Sequence, residues 1–170
     1  MFSEFNGLPL HALVIHFAVV AVLLAALLGI LFVVPRTRRW SRIPFLLVSL
    51  GVVAAVYVAK LSGQDLKQAL AAGPGNTWAQ SPAGQLIAEH QQRGNLLLYI
   101  SIGFAVVAVA AFALTRPGVR VAGVAFAGTV EWVVCVLVLV GVVAMGVQVY
   151  RVGDIGARAV WNPTGTLNFQ

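Results

Sequence analysis

Charged residues are scarce in this sequence. They make up 9% of its 170 residues, against roughly 25% in ordinary soluble domains. Apolar residues make up 60% even when glycine is left out, which is above the usual range of about 45–50%. A soluble domain of this size could not cover its surface with so few charges. The composition therefore excludes a soluble globular domain and predicts an integral membrane protein.

Cysteine is nearly missing as well. The single residue, Cys135, lies inside an apolar run, which excludes an internal disulfide and any CxxC metal or redox motif. We interpret it as an apolar residue that faces lipid or the helix bundle. The sequence also lacks a Walker A motif, a GxSxG motif and an HExxH motif. It therefore favours a role other than catalysis.

No basic stripe with interleaved aromatic residues is present, although the net charge is +6. Such a stripe is typical of nucleic-acid-binding proteins. The arginines lie instead in short segments between long apolar runs. Nucleic acid is therefore excluded as a partner. The expected partner is the lipid bilayer, and a membrane protein partner or a second copy of the chain stays open.

Long apolar runs are abundant. A helix that crosses the hydrocarbon core needs about 20 mostly apolar residues, and a spanning segment is helical because a helix satisfies its own backbone. The fold class is therefore all-α: a polytopic membrane protein with an antiparallel four-helix transmembrane bundle in one domain. The predicted spans are residues 10–34, 43–61, 96–114 and 130–149, with a partly helical outer loop at 60–95.

The segments between the spans differ in charge. Segments 35–42 and 115–121 contain six arginines and no acidic residue, so that side carries +6. The opposite side has five basic and four acidic residues, which leaves a net charge of +1. Because basic short loops stay in the cytoplasm, we expect both termini and the 60–95 loop to lie outside.

The outer loop contains two signals for helix starts. The sequence from Ser62 to Asp65 has capping-box spacing, with Asp in place of Glu, and predicts a short helix that ends near Ala72. Ser81 and Pro82 are typical of an N-cap followed by the first helical residue, which predicts a helix that leads into the third span.

All three histidines, His11, His16 and His90, lie toward the outer side. Ionisable groups at membrane depth are costly and often functional, and histidine is a usual ligand of haem, zinc and copper. His11 and His16 are five residues apart and point about 140° away from each other on a helix. They are therefore poorly placed to bind one ion together, although either could pair with His90. The alternative is that the histidines form structural hydrogen bonds between helices.

Further polar residues fall at the same level as the histidines. In an antiparallel bundle, the starts of the first and third helices and the ends of the second and fourth helices meet at one face. An unpaired buried polar group costs on the order of 1–3 kcal/mol. We therefore expect one connected site in which His16 and His90 approach each other or a shared partner, with Gln148, Tyr150 or Arg151 completing the network. The supporting residues are Asp65, Asn95, Gln148, Tyr150, Arg151 and Asp154.

Glu131 is the one acidic residue within a predicted span. We interpret it as reaching the headgroup region, with a proton relay as the alternative. Gly141 and Gly146 are expected to allow close helix packing. The tryptophans are expected to anchor the bundle at the membrane interfaces; they are Trp40, Trp78, Trp132 and Trp161.

Three stretches resemble a bacterial membrane family, domain of unknown function 2231. The stretch from Gly7 to Phe17 resembles its HPxxVHFP motif, with Ala12 and Ala18 where that family often has proline. Residues 89–95 resemble the family's histidine-containing entry to the third helix, and residues 148–157 are similar to the tail of its actinobacterial members.

The resemblance implies a four-span protein of the bacterial plasma membrane, with His11, His16 and His90 at the motif positions. It implies no established activity, although some relatives look fused to Rieske-type iron–sulfur domains. The sequence thus favours an accessory or structural membrane component with a histidine cluster at its outer face. The alternative is a redox protein that binds haem or a transition metal through that cluster.

Overall fold

The computed structural model describes residues 4–5, 7–73, 75–115 and 126–167. Within these residues, two short strands pair antiparallel ahead of four long helices, and one turn of 3-10 helix, Trp78–Gln80, precedes the third. All four helices are long and apolar enough to cross a membrane. The predicted all-α four-helix bundle is therefore confirmed. The elements are β1 Glu4–Phe5, β2 Leu8–Pro9, α1 Leu10–Val33, α2 Pro35–Ala71, α3 Pro82–Leu114 and α4 Phe126–Trp161.

The helices are longer than the predicted spans. With 37 residues, α2 is about 55 Å long, nearly twice the hydrocarbon thickness of about 30 Å. The expectation of an arginine-rich loop at 35–42 is wrong, because these residues form the first turns of α2. Pro35 accounts for this: its fixed φ suits the first helical position. The segment near 115–121, with Arg116 and Arg120, lies largely outside the described residues.

The turn between α1 and α2 is a single residue, because side chains of α2 satisfy the last carbonyls of α1. Those carbonyls have no partner within their own helix. Arg38 donates from Nε to the Phe32 carbonyl at 2.9 Å and from Nη2 to the Val33 carbonyl at 3.1 Å. Thr37 donates its hydroxyl to the Leu31 carbonyl at 2.5 Å. The polar start of α2 therefore also ends α1.

The prediction that a separate helix begins at Ser62 is wrong. Ser62 lies inside α2, and its hydroxyl donates to the Ala59 carbonyl at 3.0 Å. The predicted start of α3 is confirmed. The Ser81 hydroxyl accepts a hydrogen bond from the Gly84 amide at 3.1 Å, and the helix begins at Pro82.

The bundle is a ring in which each helix packs on the next and α4 closes against α1. Phe45 of α2 links three helices in the core of the bundle. Its ring stacks on Phe32 of α1, with 5.2 Å between ring centres, and contacts Phe104 of α3 edge-on, with 5.6 Å between ring centres. Gly141 of α4 packs on Phe104, since a Cβ there would lie 2.4 Å from the ring. Close packing is thus confirmed for Gly141, whereas Gly146 has open space around it.

Candidate functional site

One end of the bundle, termed here the histidine end, joins the starts of α1 and α3 to the ends of α2 and α4. His11 lies in the first turn of α1 and His90 in the third turn of α3. Their ring centres are 6.3 Å apart, and the ring planes are nearly perpendicular at 88°. Both side chains are half-buried. The structure therefore brings together His11 and His90.

The expected approach of His16 to His90 is wrong. His16 lies on the exposed face of α1, and its Nδ1 bonds to the Ala12 carbonyl of the same helix. The five-residue separation explains why His11 rather than His16 meets His90, because it turns the two side chains about 140° apart around the helix. When His11 faces the neighbouring helices, His16 faces the outside of the bundle.

His11 connects α1 to α2. Its Nδ1 lies 3.1 Å from the Ser62 hydroxyl oxygen. That hydroxyl donates its single proton to the Ala59 carbonyl, so its oxygen accepts from the Nδ1–H of His11. The neighbouring Gly63 makes room for the ring, because a Cβ there would lie 2.9 Å from Cε1 of His11. The imidazole is thus fixed by one hydrogen bond and one close contact.

His90 connects α3 to α4 in the same way. Its Nδ1 lies 2.9 Å from the Val152 carbonyl oxygen, which can only accept, so Nδ1 carries the proton. Gly156, one turn further along α4, leaves space for the ring: a Cβ there would lie 3.0 Å from Cε1 and Nδ1 of His90. Each hairpin of the bundle is therefore closed by a histidine that sits on a glycine of the following helix.

The proton on Nδ1 decides what the rings can do chemically. In a neutral imidazole with Nδ1–H, Nε2 keeps its lone pair and can bind a proton or a metal ion. The contacts with Ser62 and Val152 both use Nδ1, so Nε2 is the ring atom that these two contacts leave for a proton or a metal ion. An Nδ1–H bonded to a carbonyl or similar acceptor is also the usual support of a metal-binding histidine.

Other polar contacts at the histidine end also run between helices. Gln148 of α4 is 3% exposed, and its amide nitrogen donates to the Arg93 carbonyl of α3 at 2.8 Å. Lys67 of α2 donates to the side-chain oxygen of Gln91 on α3 at 2.8 Å. Oδ1 of Asn95 is buried without a hydrogen-bond partner among the described residues. Gln148 therefore links α4 to α3 at this end, through the Arg93 backbone rather than through a histidine.

Three other predicted members are exposed or are paired within their own helix. Tyr150 and Arg151 are exposed, Tyr150 at 74%, and Asp154 pairs with Arg158 of its own helix at 3.1 Å. Asp65 is half-buried on α2. Over the ranges that the structure describes, no group of three or more His, Cys, Asp or Glu side chains is placed to hold a metal ion. The pair therefore offers two ligands.

The opposite end, termed the arginine end, holds a second set of contacts between helices. Arg38 of α2 forms an ion pair with Glu131 of α4, and its Nη2 lies 3.5 Å from Sγ of Cys135. Arg42 donates to the Phe112 carbonyl of α3 at 2.5 Å. Sequence reasoning missed these partners of Glu131 and Cys135. The available signal was that opposite charges fall at the same predicted depth.

The two ends are separated by one hydrocarbon thickness. Ser62 and Arg42 are twenty residues apart in α2, which corresponds to about 30 Å at the rise of an α-helix. The hydrocarbon core of a bilayer is also about 30 Å thick. The polar contacts between helices thus fall at the two levels where headgroups would begin.

Comparison with known proteins assigns the chain to a family. A family model described as a predicted membrane protein, domain of unknown function 2231, matches residues 7–166. No curated protein and no solved structure matches the chain. The matched region contains all four helices and both histidines of the pair.

Proposed function

The chain belongs to the domain of unknown function 2231 family of predicted membrane proteins, and on that premise we propose that it is a structural or accessory component of the bacterial plasma membrane. One observation supports this most directly: the polar contacts at the histidine end run from helix to helix and are formed within the chain. Hydrogen bonds of this kind fix the rotation and register of membrane helices.

A fixed histidine end would give the protein a rigid outer surface. Beyond the histidine level, α2 continues for nine residues after Ser62, and α4 continues for nine after Val152. Each extension is about 13 Å long, which is long enough to offer a helical surface to a membrane protein partner or to a second copy. Both termini would lie outside, because the six arginines mark the cytoplasmic side.

The structural role is tested by removing each ring in turn. His11→Ala and His90→Ala should each lower the free energy of unfolding in detergent micelles by about 0.6–2 kcal/mol, the range for hydrogen bonds between membrane helices. His16→Ala is the matched control and should leave it unchanged, because among the described residues that ring bonds only to the Ala12 carbonyl of α1. An equal loss in all three variants would contradict the proposal.

The alternative function is binding of haem or a transition metal, for electron transfer or for holding an ion. The closeness of His11 and His90, whose ring centres are 6.3 Å apart, favours it, and so does the use of Nδ1 rather than Nε2 in their contacts with Ser62 and Val152. His11 and His90 would hold the metal ion or the haem iron, and the bound group would supply electron transfer or hold an ion.

An absorption spectrum and metal analysis of the detergent-purified protein separate the two functions. A Soret band, or stoichiometric metal, that is lost in His90→Ala and kept in His16→Ala would establish the alternative. A preparation without either, whose stability is unchanged by a chelator, would support the structural role.

Orientation is tested with single-cysteine variants in a Cys135→Ser background. Positions in 75–80 should react with a membrane-impermeant maleimide in intact cells, whereas positions in 36–42 should react only after permeabilisation. The reverse pattern would place the termini in the cytoplasm.

A further inference from the structure

An apolar groove of about 520 Å³ runs between α2 and α3 on the outer surface of the bundle. Its α2 side includes Leu50 and Tyr57, and its α3 side includes Ile102 and Val109. A surface of this kind faces the hydrocarbon when the helices span a bilayer. The full lining is Leu50, Val53, Ala54, Tyr57, Ile102, Ala105, Val106 and Val109.

The arginine end forms one mouth of this groove. Val109 lies one turn from Phe112, whose carbonyl accepts a hydrogen bond from Arg42, so Arg42 crosses from α2 to α3 at that mouth. Arg39 and Tyr57 are eighteen residues apart, which is about five full turns of an α-helix. Arg39 therefore lies on the same face of α2 as the groove.

This mouth also carries positive charge. Arg38 is paired with Glu131. Arg36 and Arg39 are exposed, and neither forms an ion pair with any residue that the structure describes. An apolar channel that ends beside two such guanidinium groups matches a ligand with one long apolar chain and an anionic head.

We propose that the α2–α3 groove binds an acyl chain of an anionic phospholipid whose phosphate is held by Arg39, with Arg36 beside it. Guanidinium groups bind phosphate through paired hydrogen bonds, and basic residues at a membrane surface attract anionic lipids. Leu50 and Tyr57 lie about 12 Å and 22 Å from Arg42 along α2. A chain that descends through one leaflet, half of about 30 Å, reaches Leu50 but not Tyr57, so it occupies the half of the groove nearer the arginine end.

The chain contains its own comparison site. A second apolar groove of about 380 Å³ lies between α1 and α2, where Val58 forms part of the lining. Its α1 lining, which includes Leu13 and Phe17, belongs to the start of α1 at the histidine end. This groove therefore lies away from Arg36 and Arg39, and a lipid bound there should not depend on Arg39.

The test is native mass spectrometry of the full chain in detergent, with phosphatidylglycerol and phosphatidylcholine of identical acyl chains. The wild type should retain phosphatidylglycerol preferentially. Arg39→Gln should lower that preference about fivefold, as expected for one basic residue at a membrane surface. Val106→Trp, which fills the groove from its exposed α3 side, should lose the bound lipid.

Three control conditions keep the proposal falsifiable. Val58→Trp fills the second groove, and Lys60→Gln removes the positive charge beyond Tyr57 at the other end of the first groove. Excess inorganic phosphate competes only for the binding site of the lipid headgroup. Each of these conditions should leave phosphatidylglycerol bound. Equal retention of both lipids by the wild type, or loss in Lys60→Gln rather than Arg39→Gln, would overturn the proposal. So would displacement by phosphate, or a dimer that Val106→Trp dissociates, since the occupant would then be a second copy.

Discussion

The two ends of this bundle join the same four helices by different chemistry. At the histidine end, the rings of His11 and His90 bond over a short reach to a hydroxyl and a carbonyl, and Gly63 and Gly156 let the neighbouring helices approach these rings. At the arginine end, the long charged side chain of Arg38 reaches α4 and the last carbonyls of α1. One end depends on close fit and the other on charge and reach.

The difference follows from what each end has to satisfy. At the histidine end, α2, α3 and α4 continue past the contact level, so their backbones are already hydrogen-bonded there, and no helix ends in open carbonyls at that level. At the arginine end α1 stops, and its last carbonyls need donors. Arg38 carries five N–H donors and meets both this need and the charge of Glu131. The two ends should therefore respond differently to added volume and to salt.

Added volume should have the largest effect, and only at the histidine end. Gly63→Val and Gly156→Val should each lower the free energy of unfolding by about 1–3 kcal/mol, the usual cost of overpacking. Even the Cβ atom of the new side chain would lie 2.9–3.0 Å from the ring of His11 or His90. Unfolding in detergent micelles measures the loss. Gly153→Val is the control, since nothing lies within 4 Å of a Cβ there. A similar loss in that variant would point to helix propensity rather than to the histidine contacts.

Shortening the side chain of Arg38 should have the second-largest effect on stability. Arg38→Gln should lower the free energy of unfolding by about 1–2 kcal/mol, because the shorter side chain leaves two carbonyls at the end of α1 without these donors. Arg36→Gln removes the same charge from an exposed position and should have little effect on unfolding. Equal effects of the two variants would mean that charge alone matters at this end.

The salt dependence of stability should also distinguish the two ends, by a smaller amount than the variants above. Glu131→Gln should cost at most about 1 kcal/mol, since Glu131 is half-exposed. The difference from wild type should fade in 1 M salt, where the Debye length is about 3 Å. The cost of His90→Ala should stay constant over the same range, because its hydrogen bond to Val152 is neutral. A salt-dependent cost for His90→Ala would show that its ring is charged.

The smallest effect is expected at Cys135. The contact of 3.5 Å between Arg38 and its sulfur is weak, and a serine hydroxyl can accept the same donor. Cys135→Ser should therefore change stability by only a few tenths of a kcal/mol, within the usual surface range of about 0.5 kcal/mol. A large loss would show that the sulfur packs tightly into the bundle.

Features that depend on neighbouring residues could be predicted from the sequence. Ser81 and Pro82 start α3 because a cap requires only the residues of one turn. Glu89 and Arg93 pair at 3.5 Å because helical spacing brings them together. The same local reasoning was wrong for Ser62. Its capping pattern is present, but α2 runs through it because the helix is already formed on both sides.

The sequence by itself determined that there are four membrane-length helices, because apolar length is a property of each segment alone. It also placed three histidines at one level. Only the tertiary structure decided which of them meet. That choice depends on how far α1 is rotated about its own axis, and the rotation is set by contacts of His11 with Ser62 and Gly63, about fifty residues away. No pattern within α1 carries that information, because His11 and His16 are equally compatible with its helix.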